Sequence, residues 1–360
     1  MQSTMTWVGL DVHARSVHAA ALDAETGELR RARLGGETGE VVAFLAGLRG
    51  PVRAVYEAGP TGFGLARAGT AAGIEMMVCA PGKTPRGAAD RVKTDQRDAE
   101  RLVRQLLAGS LAPVRVPTAR EEAARDLVRA REALRQDLMR ARQRVSKLLL
   151  RHGRVWPAEK AAWTVAHRDW LARQRFDEPA LALAYLDSVA AIDGLLARRG
   201  VLEQHLSQLA TSPELWPAVS RLRAFRGIDT LTALGLVTEV GDFARFRRPR
   251  ELASWLGLVP SISQSGQQIS RGAITKTGSV HARRLLVEAA WHYARPPRVG
   301  LTLRNRQDGV PAEVLQIAWH AQQRLWRTHT RLRGRGKPAN VATVAAAREL
   351  ACFVWAAAVA

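Results

Sequence analysis

One stretch constrains the fold of this chain more than any other. From Glu121 to Leu150 the sequence reads as a single long helix, in which Leu127, Leu134, Ala141 and Leu148 recur every seven residues while Leu138 and Val145 fill the complementary positions. That spacing predicts the seam of a short coiled coil. The helix divides the chain, with an α/β pattern before it and a helical pattern after it. A second stretch, AIDGLLARRGVLEQHLSQLA, reads as its antiparallel partner. The outward faces carry Arg129, Arg135, Arg140, Arg142, Arg144 and Lys147. Such faces suit either a solvated surface over an ordinary helical hairpin or a dimerisation arm that follows a phosphate backbone. The segment between the two helices holds Trp156, Trp163 and Trp170 and is left unassigned by pattern.

Before the long helix, TWVGLDV is a short apolar run ending in a carboxylate. SVHAAALDAETGELRRARL predicts two strands around a Glu-Thr-Gly turn, GEVVAFLAGL a helix, and VRAVYEAGPTGFGLARAG a strand leading through a Gly/Pro turn into a helix. GIEMMVCAP is a further strand stopped by Pro81, and the basic segment GKTPRGAADRVKTDQRDAERLVRQLLAG leads into another helix. The order predicts an α/β domain, residues 1–115, built on a mixed sheet with flanking helices. Residues 116–215 form the helical middle and 216–360 a mostly helical C-terminal domain, so the fold class is α/β plus α. In that last part, FRGIDTLTALGLVTEVGDFARF predicts a helix, a Gly turn and a helix. RELASWLGLVP, a polar Gly/Ser loop SISQSGQQISRGAITKTGS, and the basic helix HARRLLVEAAWHYA follow.

Charge limits the partners. Lys plus Arg number 54 against 33 Asp plus Glu, a net charge of +21 and a pI near 11.4. Only six of the 54 are Lys, which a GC-rich genome explains, but codon bias does not explain the excess over acids. A field of this sign points to nucleic acid. Arg271, Lys276, Arg283 and Arg284 flank the Gly/Ser loop and are candidates for phosphate contacts, against a generic basic surface as the plain alternative. The run QRLWRTHTRLRGRGK, with Arg331 and Arg333 at its centre and no acid, favours salt-sensitive phosphate binding. Cys79 and Cys352 stand far apart without a CxxC or a Cys/His cluster, against a zinc site or disulfide framework. No signal-peptide pattern opens the sequence, and the Ala-rich tail from Val341 to Ala360 is interrupted by Arg348 and Glu349. That tail predicts a buried helix rather than a membrane span, in a cytoplasmic protein.

Four carboxylates fall where loops gather in α/β folds. Asp11 closes the first strand, Glu57 closes another, and Asp95 and Asp98 begin the helix after the last strand. Asp95 as N-cap with Asp98 in the first turn is the structural reading. Three residues apart, they also share a helix face, and oxygen ligands of this kind hold one or two Mg²⁺ ions for phosphoryl transfer.

These motifs resemble a known family. VGLDVHARS, YEAGPTGFG and KTDQRDAERL match, in order, the DEDD signature of one group of bacterial insertion-sequence transposases. The group comprises relatives of the Piv/MooV DNA invertases and includes recombinases guided by a bridge RNA. The block from FRGIDTLTALG to VHARRLL is similar to the same family's C-terminal transposase domain, and VATVAAARELACFVW to its last helix. The resemblance implies an RNase H/RuvC-like fold for residues 1–115, with Asp11, Glu57, Asp95 and Asp98 holding Mg²⁺ or, in its place, Mn²⁺. It implies an oligomerisation role for 116–215. It also implies a serine nucleophile, which by position is Ser265. The residues alone do not choose among Ser261, Ser263, Ser265 and Ser270, and a serine in a polar Gly-bearing loop is ordinarily loop chemistry. TKTG stands where relatives usually have a serine first. Further implied are DNA ends as substrate, a structured guide RNA, and a homodimer assembling to a tetramer, with no membrane partner. The alternatives are a RuvC-like junction nuclease using water as nucleophile, and a non-catalytic nucleic-acid-binding protein.

Overall fold

The computed structural model describes residues 5–84, 94–157, 159–266 and 268–360, which fold as two compact units, 1–120 and 121–360. The basic lead-in at 85–93, predicted from the sequence to precede the acidic helix, lies outside the described residues.

The first unit runs β1 (Thr6–Val12), β2 (Ser16–Asp23), β3 (Leu29–Gly35), α1 (Thr38–Ala46), β4 (Val52–Glu57), α2 (Gly64–Ala71), β5 (Glu75–Cys79), α3 (Asp95–Leu107) and β6 (Pro113–Val114). The strands form one six-stranded sheet in the order β3-β2-β1-β4-β5-β6. β1, β2 and β3 pair antiparallel, β1, β4 and β5 parallel, and β6 antiparallel to β5. This is the mixed sheet that the strand order predicts.

Strand parity places the chemistry. Val8, Leu10, Ala54 and Tyr56 belong to the core shared with Val41 and Leu45 of α1 and Leu65 and Ala66 of α2. The alternate residues face the other way: Val55 packs with Leu102 and Leu106 of α3, and Ala20 with Ala99 and Val103. Asp11 has the parity of Gly9, and Glu57 that of Val55, so both carboxylates share the face covered by α3. Gly9 permits this layer. A Cβ there would stand 2.1 Å from Ala99 O and 2.6 Å from Val103 N, both main-chain atoms of α3. Only a residue without a side chain lets the helix lie directly on β1.

The second unit contains α4 (Ala119–Arg151), α5 (Val165–Ala172), α6 (Pro179–Ala210), α7 (Trp216–Leu222), α8 (Thr230–Val240), α9 (Pro249–Trp255), β7 (Pro260–Ser265), β8 (Gln268–Ile274), α10 (Val280–Ala290), α11 (Leu301–Gln307), α12 (Ala312–Gly334) and α13 (Ala339–Val359). α4, whose first two residues fall before the unit boundary, runs antiparallel to α6. Arg131 meets Glu203, while Leu148 and Leu149 share a core with Tyr185. The heptad positions Leu134, Leu138, Ala141, Val145 and Leu148 are buried. The tryptophan segment, unassigned from sequence, closes the end of this hairpin: α5 packs Leu171 into its core, and Trp156, Trp163 and Trp170 surround buried His167. α6 and α13 are both long and apolar enough to cross a membrane by length and composition. α13 is a core helix, with Ala346, Ala347, Leu350, Ala351 and Val354 buried and the helix packed against α7, α9, α10 and α12.

One sequence reading needs correction here. SISQSG…QISRGAI is not a loop but an antiparallel hairpin, β7 against β8. Its strands are exposed on both faces, so no buried alternation marked them as strands.

Candidate functional site

The sheet register brings the carboxylates together. Leu10 pairs with Tyr56 in the parallel ladder, so Asp11 and Glu57 follow side by side on the α3 face. Asp11 also faces His18 across the β1–β2 ladder. α3 then lowers its N-terminus onto this edge. Its N-cap is Thr94, whose hydroxyl accepts from the Arg97 N–H at 3.3 Å, which corrects the reading of Asp95 as the cap. Asp95 and Asp98 therefore keep their carboxylates for other partners, while still sitting in the first turn where the helix dipole favours negative charge.

Two sub-clusters result. Asp11, His13 and Asp95 bring one ligand atom each to within 4.8 Å of one another. His13 Nε2 lies 3.1 Å from Asp11 Oδ2 and 3.6 Å from Asp95 Oδ1, and His18 Nε2 lies 3.6 Å from Asp95 Oδ2. Asp98 is buried and accepts from Arg101, whose second terminal nitrogen is 4.0 Å from Glu57 Oε1. Burial raises the Asp11 carboxyl above its ordinary range; His13 opposes this, and the negative charges of Asp95 and Asp98 add to it. All four predicted acids thus lie at one edge of one unit. His13, His18 and Arg101 complete the cluster and were not singled out from sequence. The signal for the histidines was their odd-even placement beside Asp11, in DVHARSVH.

The residues fit a divalent cation. Among the described residues, Glu57 Oε1 is buried without a hydrogen-bond partner. Crowded carboxylates at a strand-end edge with an unsatisfied oxygen are the donor set of a hard cation. Asp11, His13 and Asp95 are the described residues close enough together to share such an ion, while Asp98 and Glu57 stand beside Arg101.

In the second unit, Ser265 is exposed and ends β7, immediately before Gly266 at φ 58°. Cross-strand pairing puts Ser263, Ser265, Gln268 and Ser270 on one face of the hairpin, and Ile262, Gln264, Ile269 and Arg271 on the other. Ser261 is occupied, donating to Ala273 O at 3.2 Å. The hairpin base is locked by tight backbone contacts. A Cβ at Gly257 would meet Thr277 N at 2.3 Å, one at Gly278 would fall inside contact range of Trp255 O, and Lys276 between them takes φ 56°.

The candidate basic residues divide. Arg271 and Lys276 are exposed on the hairpin and its base, and Arg331 and Arg333 are exposed near the end of α12. Arg283 is buried and donates to Leu256 O at 2.8 Å and Thr277 O at 2.7 Å, so it clamps the hairpin base from beneath. Arg284 is held between Glu132 and Glu288, each at 2.6 Å. These two were predicted as phosphate contacts; the structure spends them on internal partners. The same region holds a buried acid. Glu239 of α8 accepts a bidentate pair from Arg129 of α4 at 2.8 and 3.1 Å and a bond from the Ser279 hydroxyl at 2.8 Å. Burial alone would raise its carboxyl, but His281, whose Nδ1 lies 3.6 Å away, and the bonds from Arg129 and Ser279 outweigh that and bring it down to about 2.

Comparison with known proteins agrees with this layout. A transposase family model of the DEDD, IS110 type matches residues 8–153, and the model of the IS116/IS110/IS902 transposase family matches residues 219–301. The protein y4qE of Sinorhizobium fredii, named as a transposase, is 40% identical over 97% of this chain and 87% of its own length. The transposase for insertion sequence element IS1533 of Leptospira borgpetersenii is 32% identical over 92% of this chain and 97% of its own.

Proposed function

The chain belongs to the IS110-type transposase family, a DNA-cleaving and strand-transferring group whose DEDD domain depends on a divalent metal, and from that premise we propose that it is a site-specific recombinase that mobilises its own element through a covalent serine–DNA intermediate. The observation that carries the proposal is the cluster of Asp11, His13 and Asp95, with Asp98 in the same first helical turn as Asp95 and Glu57 following Tyr56, which pairs with Asp11's neighbour Leu10 in the parallel ladder, and carrying a buried oxygen that has no hydrogen-bond partner. A divalent ion held there, Mg²⁺ in this reading, supplies charge stabilisation at the oxygens of a scissile phosphate. Ser265 supplies the nucleophile. Its oxygen forms a phosphate ester with one DNA end as the sugar oxygen of the other end leaves, and attack by a sugar hydroxyl of the new strand reverses the exchange. The rigid hairpin base positions the hydroxyl, and Arg271 and Lys276 hold flanking phosphates.

The rest of the assembly follows the same reading. A structured guide RNA selects the sites, which the net charge of +21 accommodates. Homodimers form through the α4–α6 arm, where Leu150, Leu183, Leu186 and Val201 are exposed, and pair into tetramers. The protein works where its DNA is, in the cytoplasm. The test is cleavage of DNA carrying the element ends in the presence of Mg²⁺ and the element's RNA. Wild type nicks and rejoins; Asp98→Asn, folded by circular dichroism, does neither. Full nicking by the folded Asp98→Asn protein would refute the carboxylate assignment. If Ser265→Ala and Asp11→Ala proteins, inactive alone, regain strand exchange when mixed, the serine and the acids meet across protomers.

A further inference from the structure

The helical arm contains a cationic groove that neither the carboxylates nor the serine hairpin accounts for. It lies along α4 under Trp163, has a volume of about 340 Å³, and is lined by four cations, Arg135, Arg142, Lys147 and Arg199, with no acid among its lining residues. Met139 and Leu138 give it an apolar floor. Arg142 and Trp163 separate it from a neighbouring cavity of about 310 Å³, where Asp169 and Asp193 balance Arg142 and Arg168 and Arg168 lies 3.4 Å from Asp193.

The cations are not equally committed. Arg135 is paired with Glu132 at 2.9 Å, and Arg199 stands 3.8 Å from Glu203. Arg142 has no carboxylate partner among the described residues; its guanidinium lies 4.9 Å from the Trp163 ring centroid. The Nε atoms of both Arg142 and Arg199 are buried without a hydrogen-bond partner. Burial, then repulsion from Arg199, lowers the Arg142 guanidinium from its ordinary value. Two guanidiniums that repel each other in a half-buried groove, beside the exposed Lys147, favour an anion with several acceptor oxygens at their terminal nitrogens. Trp163 itself is held at φ 66°, a conformation a bulky residue keeps only where its surroundings impose it.

We propose that this groove binds a phosphodiester of a single-stranded nucleic acid, with the phosphate between Arg142, Arg199 and Lys147 and the attached nucleoside over Met139 and Leu138 beside Trp163. The volume is that of a small-ligand pocket. An unstacked nucleotide of a single strand can enter it, whereas a duplex keeps its bases stacked and inside. An anionic protein side chain would satisfy the charges but would leave the apolar floor and the indole edge unused. The site does not depend on Ser265 or the carboxylates, so its failure and theirs are separable.

The test uses the full-length protein and 12-residue oligouridylate or oligodeoxythymidylate carrying one 4-thio base, photocrosslinked at near-physiological salt and mapped by mass spectrometry. The expected result is a crosslink in the peptides bearing Trp163 or Met139, lost in Arg142→Gln, and a fall in single-strand affinity of about tenfold with duplex affinity unchanged. Preference for the ribo or the deoxy probe identifies which strand the groove serves. Should Arg142→Gln misfold, Lys147→Gln, on the exposed rim, gives the same readout. Crosslinks only elsewhere would overturn the proposal. So would equal losses for single strands and duplexes, or competition by polyglutamate as effective as that by the oligonucleotides.

Discussion

Gly9→Ala puts the geometry of the carboxylate edge to a quantitative test. The added methyl would sit 2.1 Å from Ala99 O and 2.6 Å from Val103 N, against ordinary contact starting at 3.4 Å, so α3 must retreat from β1 by about 1.3 Å. Neither contact is the end of a flexible side chain; both belong to helix backbone. Forcing one methyl into a closed layer of this kind costs about 1–3 kcal/mol. The larger effect is on chemistry. Asp11 stands two residues from Gly9, and Asp95 and Asp98 ride on the displaced helix, so the two halves of the site separate. A misplacement of about 1 Å at reacting groups costs about a hundredfold in rate. The assay is metal-dependent nicking of element-end DNA alongside a urea melt. Gly39→Ala in α1 is the control, because a Cβ there meets nothing within 4 Å; it should keep full activity and gain up to about 1 kcal/mol. Gly9→Ala with unchanged melting and full nicking would refute the claim that close α3–β1 packing sets the site.

Two further outcomes follow from the second unit. Glu239 is held at about 2 when folded against an ordinary 4.5, so its contribution is complete above about pH 5 and is lost as the pH falls toward 2. Glu239→Gln should lower stability at pH 7 by about 3 kcal/mol and flatten the acid limb of the unfolding profile; an unchanged limb would contradict the assignment. Arg283→Met, which removes the clamp on Leu256 O and Thr277 O, should loosen the hairpin to limited proteolysis yet leave the salt dependence of DNA binding unchanged. Arg271→Gln should reduce that salt slope by about one, and the reverse pattern would restore Arg283 as a phosphate contact.

Much of this was legible in the sequence for a physical reason. Strands buried on one or both faces leave apolar runs, and helices leave heptads, so TWVGLDV, VRAVYE and the Leu134–Leu148 series each announced their element. Asp11 and Glu57 were visible because they end strand runs, and Asp95 and Asp98 because they open a helix. What escaped lay where no burial pattern exists. The β7–β8 hairpin is exposed on both faces and reads as loop; Arg283 and Arg284 look like any surface arginines until partners such as Leu256 O and Glu132 are in place. Thr94 displaced Asp95 as the cap because both are good capping residues and only backbone geometry separates them. Gly9 was passed over because a glycine in a strand does not say what lies against it.

The proposed covalent serine–DNA intermediate is tested most directly by trapping. Wild type, Asp11→Asn and Ser265→Ala proteins are each given a nicked suicide DNA substrate with Mg²⁺ and the element's RNA, and protein–DNA adducts are resolved on a denaturing gel. The account predicts an adduct with wild type alone, mapping to the peptide containing Ser265. Metal-dependent nicking with no adduct, undiminished in Ser265→Ala, would contradict it and show that water is the nucleophile.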